Sequence, residues 1–222
     1  CFIAYTGIHH MLFRYLKTPI IATSANLKDE PIIRGKEEIF EKLSGVVDFV
    51  LDYNRDIINT CDDSVIQVVK NYNIKLRNAR TYDPTPIKLD KKKKKKILSL
   101  GANQKSTISL AFENNLILSP HIGDLNSIQA VEYFERTINT FKNFYDFEPE
   151  VVICDKHPNY ESTKFAFKLK EKNPNIKLIQ IQHHYSHILS VMAENKLDEE
   201  VLGIAFDGTG FGDDGNIWGG EV

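Results

Sequence analysis

Cysteine is scarce in this chain, which has three in 222 residues, Cys1, Cys61 and Cys154. An odd number of widely spaced cysteines without CxxC spacing argues against a disulfide framework and against a cysteine-based zinc site. The sequence also lacks an apolar run of about 18 residues, as a membrane span requires, and it shows no signal-peptide pattern. We therefore expect a protein of a reducing compartment, the cytoplasm, with no membrane partner.

A net charge of one sign is also missing, because 28 Lys and Arg residues face 30 Asp and Glu residues. Such a balance creates no whole-protein field that would draw the chain to nucleic acid or to an anionic membrane. The hydrophobic content of 42% is ordinary for a packed globular protein. The length allows one large domain or parts of two, and we predict no nucleic-acid partner.

A run of six lysines, Lys91–Lys96, is the clearest break in composition, and it follows Pro84 and Pro86. Like charges in series repel one another and bury nothing, so this stretch is predicted to be a linker or an exposed strand lead-in. We place the domain boundary here, between residues 1–90 and 91–222. A basic RNA-binding patch is the alternative, but no aromatic residues interleave with the lysines.

Residues 1–90 show the mixed patterns of an α/β unit. The segment 18–26 is predicted as an apolar strand that runs into a polar turn, and 31–45 as a helix closed by Gly45. Two β-branched runs, at 46–53 and 62–69, are typical of strands.

Residues 91–222 begin with three short apolar runs that predict an antiparallel meander, at 97–100, 107–112 and 115–119. A helix is predicted next from apolar residues at three- and four-residue steps: Leu125, Ile128, Val131, Phe134, Ile138 and Phe141. The remaining predicted elements alternate strand and helix: strand 151–155, helix Glu161–Lys172, strand 176–181 and helix His183–Asn195. In the last helix, Ile188, Val191 and Met192 are expected to face inward.

The pattern at 201–220 predicts a strand, a glycine-rich turn and a second strand. It repeats the pattern at 97–112 about a hundred residues later. Two such hairpins at the heads of successive α/β units indicate a duplicated architecture. The second copy has barely begun where this sequence stops, and we expect the chain to be part of a longer protein.

The segment HHYSH holds three histidines in five positions. His183 and His187 are four residues apart, so on a helix their rings share a face and can bind one divalent metal, whereas His184 points elsewhere. Asp207, which closes the strand before the glycine-rich turn, adds a carboxylate, and the three residues make an incomplete first shell suited to iron or zinc. Capping or surface histidines are the structural alternative.

Further residues are candidates for binding anions or orienting a substrate. Gly208, Gly210 and Gly212 permit positive φ and close backbone approach, so their N–H groups can cradle phosphate oxygens. Ser24 and Asn26 form a compact donor set, although a plain Ser or Asx turn would look the same. The remaining candidates lie in turns or at strand ends and are Lys105, which could lie beside a phosphate or leaving group, with His121, Asp124, Asp155 and His157.

In this order, the strings TSANLKDEPI, CDDSVIQ, SPHIGDL, DKHPNYEST, IQHHYSH and FDGTGFGDDGNIWGGE closely resemble the HypF family of hydrogenase-maturation carbamoyltransferases. The resemblance runs from about Tyr5 to Glu221. It implies the end of a YrdC-like α/β domain followed by the first half of a TsaD-like domain. The latter belongs to the actin-like and sugar-kinase-like (ASKHA) superfamily of duplicated α/β folds.

The resemblance also implies a two-stage reaction. Carbamoyl phosphate and ATP would give carbamoyl adenylate in the YrdC-like domain, and the TsaD-like domain would pass the carbamoyl group to the C-terminal cysteine of HypE. That group would become a cyanide ligand of the [NiFe]-hydrogenase iron. The implied cofactors are ATP, Mg²⁺ and a divalent metal, iron or zinc.

By position, the resemblance assigns Ser24 and Asn26 to the nucleotide and adenylate. It assigns His183, His187 and Asp207 to the metal, and it sets the glycine turn after Asp207 against the nucleotide. Lys105, Asp155 and His157 stay candidates for the chemistry itself.

The sequence departs from the family pattern at several positions. The family's RRARGY stretch is LRNARTY here, which keeps Arg77 and Arg80 for anion binding but has Asn78 and Thr81 in place of an arginine and a glycine. The usual third histidine is Tyr185. The family's acylphosphatase-like and zinc regions, a Lys/Arg pair and a later metal-binding aspartate do not occur in these 222 residues, so we expect the chain alone not to catalyse the full reaction.

Other functions remain open on the sequence. An O-carbamoyltransferase that modifies a small-molecule alcohol shares both domains but places the TsaD-like part first. Threonylcarbamoylation of tRNA uses related domains on separate chains. A nucleotide-binding scaffold without chemistry would need no open metal site.

Overall fold

The computed structural model describes residues 3–28, 30–84 and 86–222. Thirteen elements follow one another within these ranges: α1 Gly7–Tyr15, α2 Lys36–Leu43, β1 Val65–Val69, β2 Tyr72–Arg77, β3 Pro86–Ser99, β4 Ser109–Leu118, α3 Ile128–Phe144, β5 Val151–Asp155, α4 Glu161–Lys172, β6 Lys177–Ile181, α5 His183–Asn195, β7 Gly210–Phe211 and β8 Ile217–Trp218. The α/β class predicted from the sequence is therefore confirmed.

A four-stranded sheet in the order β4-β3-β5-β6 organises the second part of the chain. β3 and β4 pair antiparallel, whereas β5 pairs parallel to both β3 and β6. β1 with β2 and β7 with β8 form separate two-stranded antiparallel ribbons. The parallel pairs follow from the alternation of strand and helix, because a parallel connection needs a crossover segment and α3 and α4 supply it.

The core lies where α3 and α4 pack on this sheet. Phe134 of α3 is fully buried and meets Phe165 of α4 edge to face, with ring centroids 5.6 Å apart. Leu98 and Val152, on neighbouring strands, are also fully buried in the same cluster. The apolar stripe predicted for α3 is confirmed at Phe134 and Ile138 but not at Ile128, which is 75% exposed, and Phe144 outside the stripe is 78% exposed.

The second part departs from the predicted meander. The runs at 107–112 and 115–119 belong to a single strand, β4, and the polar residues between them do not break it. The lysine run lies inside β3, so the strand alternative to a linker is the correct one. The pairing register of β3 with β4 shifts twice within the lysine stretch, which leaves its side chains solvated. The domain boundary near residue 90 stays a prediction.

The first part departs further from the sequence predictions. Neither 18–26 nor 46–53 forms a strand, and the predicted helix 31–45 is the shorter α2. The strand predicted at 62–69 is confirmed as β1. A strand needs neighbours for its backbone hydrogen bonds. Among the described residues, no strand pairs with 18–26 or 46–53, and Phe49 is 93% exposed.

Helix α5 has the predicted bounds, but its buried face was predicted wrongly. His184 is its buried residue, whereas Val191 is 55% exposed and Ile188 and Met192 are half-buried. The described parts of the chain contain no helix with both the length and the hydrophobicity needed to cross a bilayer. Cys61 and Cys154 are free thiols, and Cys1 lies outside the described residues.

We predict that Phe134→Ala lowers the free energy of unfolding by about 3–5 kcal/mol, because it leaves a cavity among fully buried side chains. Phe144→Ala on the same helix is the control and should change it by no more than about 0.5 kcal/mol. Urea unfolding followed by circular dichroism measures both. Equal losses in the two variants would contradict the position of the core.

Candidate functional site

Two neighbouring parallel strands end at the same edge of the sheet, and a histidine-rich helix begins there. β5 ends at Asp155 and β6 at Ile181, and α5 starts two residues later with Gln182 as its N-cap. The Gln182 side-chain oxygen accepts a hydrogen bond from the Tyr185 N–H at 2.8 Å, which satisfies one free donor of the first turn. Carboxyl ends of parallel strands are the usual location of ligand sites in such sheets.

His183, His187 and Asp207 converge at this edge. The two rings lie one helical turn apart, with centroids 4.8 Å from each other. Asp207 Oδ2 lies 2.9 Å from His183 Nε2 and 3.4 Å from His187 Nε2. One potential ligand atom from each residue lies within 4.8 Å of the others. The predicted convergence is therefore present in the structure.

This donor set fits a transition metal. Two imidazoles and a carboxylate suit iron or zinc, and ligand atoms about 2.0–2.2 Å from a tetrahedral ion lie roughly 3.3 Å from one another. The Nδ1 of His183 is 2.6 Å from Asp155 Oδ2, so its Nε2 is the nitrogen left to face Asp207. Metal-binding histidines commonly donate their other N–H to a carboxylate in this way. Metal binding itself stays a prediction.

The charges within this cluster reinforce one another. The hydrogen bond to Asp155 raises the pKa of His183 above its ordinary value, and this effect outweighs the opposing burial of the ring. Burial acts to raise the pKa of Asp207, but the Thr209 N–H and the charge of His183 outweigh it, and the pKa lies below the usual range. Asp207 is thus held as a carboxylate, the form that binds a cation.

Asp155 and His157, predicted as catalytic candidates, lie beside this cluster but make supporting contacts. Asp155 is 8% exposed, and its second oxygen, Oδ1, accepts the His157 N–H at 2.7 Å. The His157 ring stacks on Tyr160 at 4.1 Å between centroids and meets the edge of Phe211. The geometry therefore favours Asp155 as a residue that orients His183, and a direct catalytic role for either residue stays untested.

The glycine-rich turn was predicted partly for the wrong reason. Gly208, Gly210 and Gly212 do not adopt positive φ, unlike Gly215 in the same turn. Gly210 instead packs on the His184 ring, where an added Cβ would lie 2.6 Å from Cε1, and Gly212 packs on Trp218. Close packing therefore explains two of the three glycines, and an added Cβ at Gly208 would meet nothing. Phosphate binding by this turn stays a prediction.

A cleft of about 490 Å³ between the two parts of the chain brings together another set of predicted residues. Ser24, Asn26 and Arg77 line it from the first part, and Lys105 lines it from the second. The two parts are joined beside the cleft by a hydrogen bond from the Tyr133 hydroxyl to the Thr60 carbonyl at 2.8 Å. No pattern in the sequence had indicated that Lys105 faces Ser24 and Asn26.

The Ser24 and Asn26 side chains use their donors within their own loop. The Ser24 hydroxyl donates to Asn26 Oδ1 at 2.6 Å, and the Asn26 amide donates to the carbonyls of Leu27 and Glu30. These contacts shape the loop that forms one wall of the cleft. The positively charged side chains that line the cleft are those of Arg77 and Lys105.

His121 and Asp124 lie in the same cleft, as two of the candidates for orienting a substrate. Asp124 Oδ1 accepts the Lys105 N–H at 2.7 Å and so fixes the turn that carries this lysine. Burial, and then the positive charge of Arg77, lower the pKa of His121, so its ring is neutral at neutral pH. A neutral ring can donate one hydrogen bond and accept another.

Arg80, predicted to bind anions together with Arg77, does not line this cleft. Its Nε lies 3.4 Å from Asp63 Oδ1, and its Nη2 donates to the Cys61 carbonyl at 3.2 Å. Arg77 lines the cleft, and its Nη1 lies 3.6 Å from Asp62 Oδ2. The two arginines of one short motif therefore face different surroundings.

Two residues beside the histidine cluster, Gln182 and Glu221, were not predicted as site residues from the sequence. Glu221 Oε2 contacts His184 Nδ1 and accepts from the Gln182 side-chain amide at 3.1 Å. Neither spacing nor residue type connects residues 182 and 221. The one available clue was an acidic residue that closes the glycine-rich motif.

Comparison with protein-family models gives two matches. Residues 92–194 match the model described as HypF Kae1-like domain, and residues 1–79 match the Sua5/YciO/YrdC model, described as Telomere recombination. The two matched segments lie on either side of the boundary predicted near residue 90.

Curated relatives and solved structures agree with these matches. The carbamoyltransferase HypF of Synechocystis sp. is 43% identical over 99% of this chain and 28% of its own length. The probable carbamoyltransferase HypF of Methanocaldococcus jannaschii is 35% identical over 98% of the chain and 28% of its own length. The chain thus spans little more than a quarter of these relatives.

Two solved structures superpose closely on the chain. The crystal structure of full-length HypF in its phosphate- and nucleotide-bound form has a TM-score of 0.86 and 42% identity, over 98% of this chain and 34% of that protein. HypF of T. kodakarensis has a TM-score of 0.85 and 37% identity, over 97% of this chain and 28% of its own.

The different surroundings of the two arginines predict different effects on His121. Arg77→Met should raise the pKa of His121, because it removes a nearby positive charge, whereas Arg80→Met should leave it unchanged. Since the folded chain binds fewer protons at His121 than the unfolded chain does, the contribution of His121 to stability should fall as the pH drops below about 6.5, and less so in Arg77→Met. The raised pKa of His183 contributes with the opposite sign, so the comparison of variants is the test. Titration of the ring resonances by NMR measures the pKa, and an equal effect of both variants would contradict the geometry.

Proposed function

The chain belongs to the HypF family, and on that premise we propose that the protein is an ATP-dependent carbamoyltransferase of [NiFe]-hydrogenase maturation. Carbamoyl phosphate and ATP are the proposed substrates, and the C-terminal cysteine of HypE is the proposed acceptor. The observation that carries the proposal is the presence in one chain of a cleft that holds Arg77 and Lys105, with acidic side chains beside them, and a separate His–His–Asp cluster. The activity is proposed for the protein at its natural length, and the cleft and the cluster are the two proposed sites within the present residues.

The cleft supports the first half-reaction. Water releases phosphate from carbamoyl phosphate, an oxygen of the resulting carbamate bonds to the α-phosphorus of ATP, and pyrophosphate leaves. The planar guanidinium of Arg77 and the flexible ammonium of Lys105 would bind the phosphates of ATP, which would enter with Mg²⁺. The internally bonded Ser24–Asn26 loop gives the cleft a preformed wall. A related full-length HypF has been crystallised with phosphate and nucleotide, which favours the same ligand class here.

The cluster supports the second half-reaction, transfer of the carbamoyl group to a thiol. His183, His187 and Asp207 would hold the iron or zinc, which supplies Lewis-acid polarisation of carbamoyl or phosphate oxygens when bound. The thiolate sulfur forms a bond to the carbamoyl carbon, the carbon–oxygen bond to the phosphate breaks, and AMP leaves with the electron pair. Asp155 keeps the His183 ring in one tautomer and orientation throughout.

The cellular setting is part of the proposal. The free thiols Cys61 and Cys154 fit a reducing compartment, so we place the protein in the cytoplasm. The near-neutral charge favours small-molecule and protein partners over nucleic acid.

Two other functions remain as alternatives. An O-carbamoyltransferase would pass the group to a small alcohol, and the order of the two matched family models along this chain disfavours it. A nucleotide-binding scaffold would carry out neither half-reaction. Silence of the intact protein in both assays below, with nucleotide still bound, would favour the scaffold.

Variants in the cleft should impair the first half-reaction. Arg77→Met and Lys105→Met should each reduce carbamoyl-phosphate-dependent exchange of pyrophosphate into ATP roughly 10- to 100-fold, because each removes a charged hydrogen bond worth about 1.5–3 kcal/mol. Arg80→Met is the matched control, because Arg80 does not line the cleft. Wild-type exchange in both cleft variants would contradict the proposed nucleotide site.

Variants in the cluster should impair the second half-reaction alone. His187→Ala should lose bound metal and carbamoylation of a HypE C-terminal peptide while it retains pyrophosphate exchange. Tyr185→Phe, an exposed change on the same helix, should retain all three properties. Metal analysis, peptide mass spectrometry and the exchange assay measure them. Metal-free protein with full transfer activity would remove the proposed role of the cluster.

A further inference from the structure

Asp207 lies on a segment that the four-stranded sheet does not hold. We name residues 205–221 the Asp207 ribbon. Its ends pair with each other, since the Ala205 N–H donates to the Glu221 carbonyl at 2.9 Å and the Glu221 N–H donates back at 3.0 Å. Within the ribbon, β7 and β8 pair only with one another. Among the described residues, its backbone hydrogen bonds outside helices and strands also stay within the ribbon.

The position of the ribbon therefore depends on side-chain contacts, and the most buried of these involve His184. The ring is 3% exposed, and its Nδ1 contacts Glu221 Oε2 at the end of the ribbon. The same carboxylate oxygen accepts a hydrogen bond from Gln182, the N-cap of α5. Lys156 and Asp213 form a further ion pair, but the Asp213 side chain is 65% exposed, where such pairs contribute little.

His184 also contacts the middle of the ribbon. A Cβ added to Gly210 would lie 2.6 Å from Cε1 and 2.7 Å from Nε2 of this ring, so a side chain at 210 and the observed ring cannot coexist. One imidazole thus contacts the ribbon at two points eleven residues apart in sequence.

The Nε2 of His184 has no hydrogen-bond partner among the described residues, and the atom is buried. A buried polar atom without a partner costs about 1–3 kcal/mol. Apolar side chains of similar size would avoid this cost. The histidine is therefore better explained by what its ring positions than by a contribution to stability.

The arrangement on α5 links this contact to the metal ligands. His183 and His187 share one face of the first turns, and His184, one residue after His183, points to another face. The helix is rigid over this distance, so a ribbon held by His184 has a fixed position relative to both ligand rings.

We propose that His184 and Glu221 are positioning residues that hold the Asp207 ribbon on α5 and so place the Asp207 carboxylate against His183 and His187. Neither residue is a metal ligand. The proposal rests on the metal site of the proposed function, and it assigns roles to two residues outside that site.

Cobalt(II) and zinc binding to the protein at its natural length tests this. Glu221→Ala, His184→Leu and Gly210→Ala should each weaken metal binding roughly 10- to 100-fold, the usual effect of losing a residue that supports a ligand. Each should also change the visible absorption of bound cobalt(II), which reports the geometry of its ligands. Glu221→Ala is the variant expected to fold without difficulty, because this side chain is 33% exposed.

A conservative variant separates positioning from packing. The amide nitrogen of His184→Asn can replace Nδ1 as a donor to Glu221, whereas that of His184→Gln takes the place of Nε2. Asparagine should therefore recover more metal affinity than glutamine or leucine. Tyr185→Phe is the control for a change on the same helix.

The outcomes distinguish this inference from the function on which it rests. Wild-type metal affinity in His183→Ala would overturn the metal site itself. Loss of metal in His183→Ala together with wild-type affinity and an unchanged cobalt(II) spectrum in Glu221→Ala and His184→Leu would overturn the positioning role alone. Equal affinities for the asparagine and glutamine variants would also contradict it.

Discussion

The hydrogen bond between Asp155 and His183 joins the last residue of β5 to the first residue of α5, and the geometry of the candidate metal centre depends on it. It selects the imidazole nitrogen that faces Asp207, and it holds the ring where the i, i+4 spacing brings in His187. The strand supplies a rigid origin, because β5 is paired on both sides within the sheet. A loop-borne carboxylate would not fix the ring as firmly.

Around this contact, the chain uses histidine–carboxylate pairs in two distinct ways. Asp155 contacts His183 at the end of β5, whereas Glu221 contacts His184 on a different side of the same helical turn. The first pair orients a candidate ligand, and the second is proposed to hold the segment that carries Asp207. Adjacent histidines thus serve different structural ends because a helix turns each residue by about 100° from the last.

The cleft between the two parts is a candidate binding surface to which both parts contribute residues. The Ser24–Asn26 loop and Arg77 come from the first part, and Lys105 and His121 from the second. The Tyr133–Thr60 hydrogen bond and that from the His121 N–H to the Asn78 carbonyl hold the parts together at this place. Burial is the main cause of the depressed pKa of His121, and the positive charge of Arg77, which lies across this contact, lowers it further.

Local pattern determined much of this protein. The sequence alone predicted the α/β class, the bounds of α4 and α5, the apolar face of α3 and the convergence of His183, His187 and Asp207, because helical periodicity and strand-end position are properties of short segments. Tertiary structure decided the rest. It left 18–26 and 46–53 without strand partners, placed Arg80 outside the cleft, packed Gly210 against the His184 ring and paired His184 with Glu221. Each of these features depends on contacts between residues that are far apart in the sequence, and local sequence patterns do not show which distant residues come into contact.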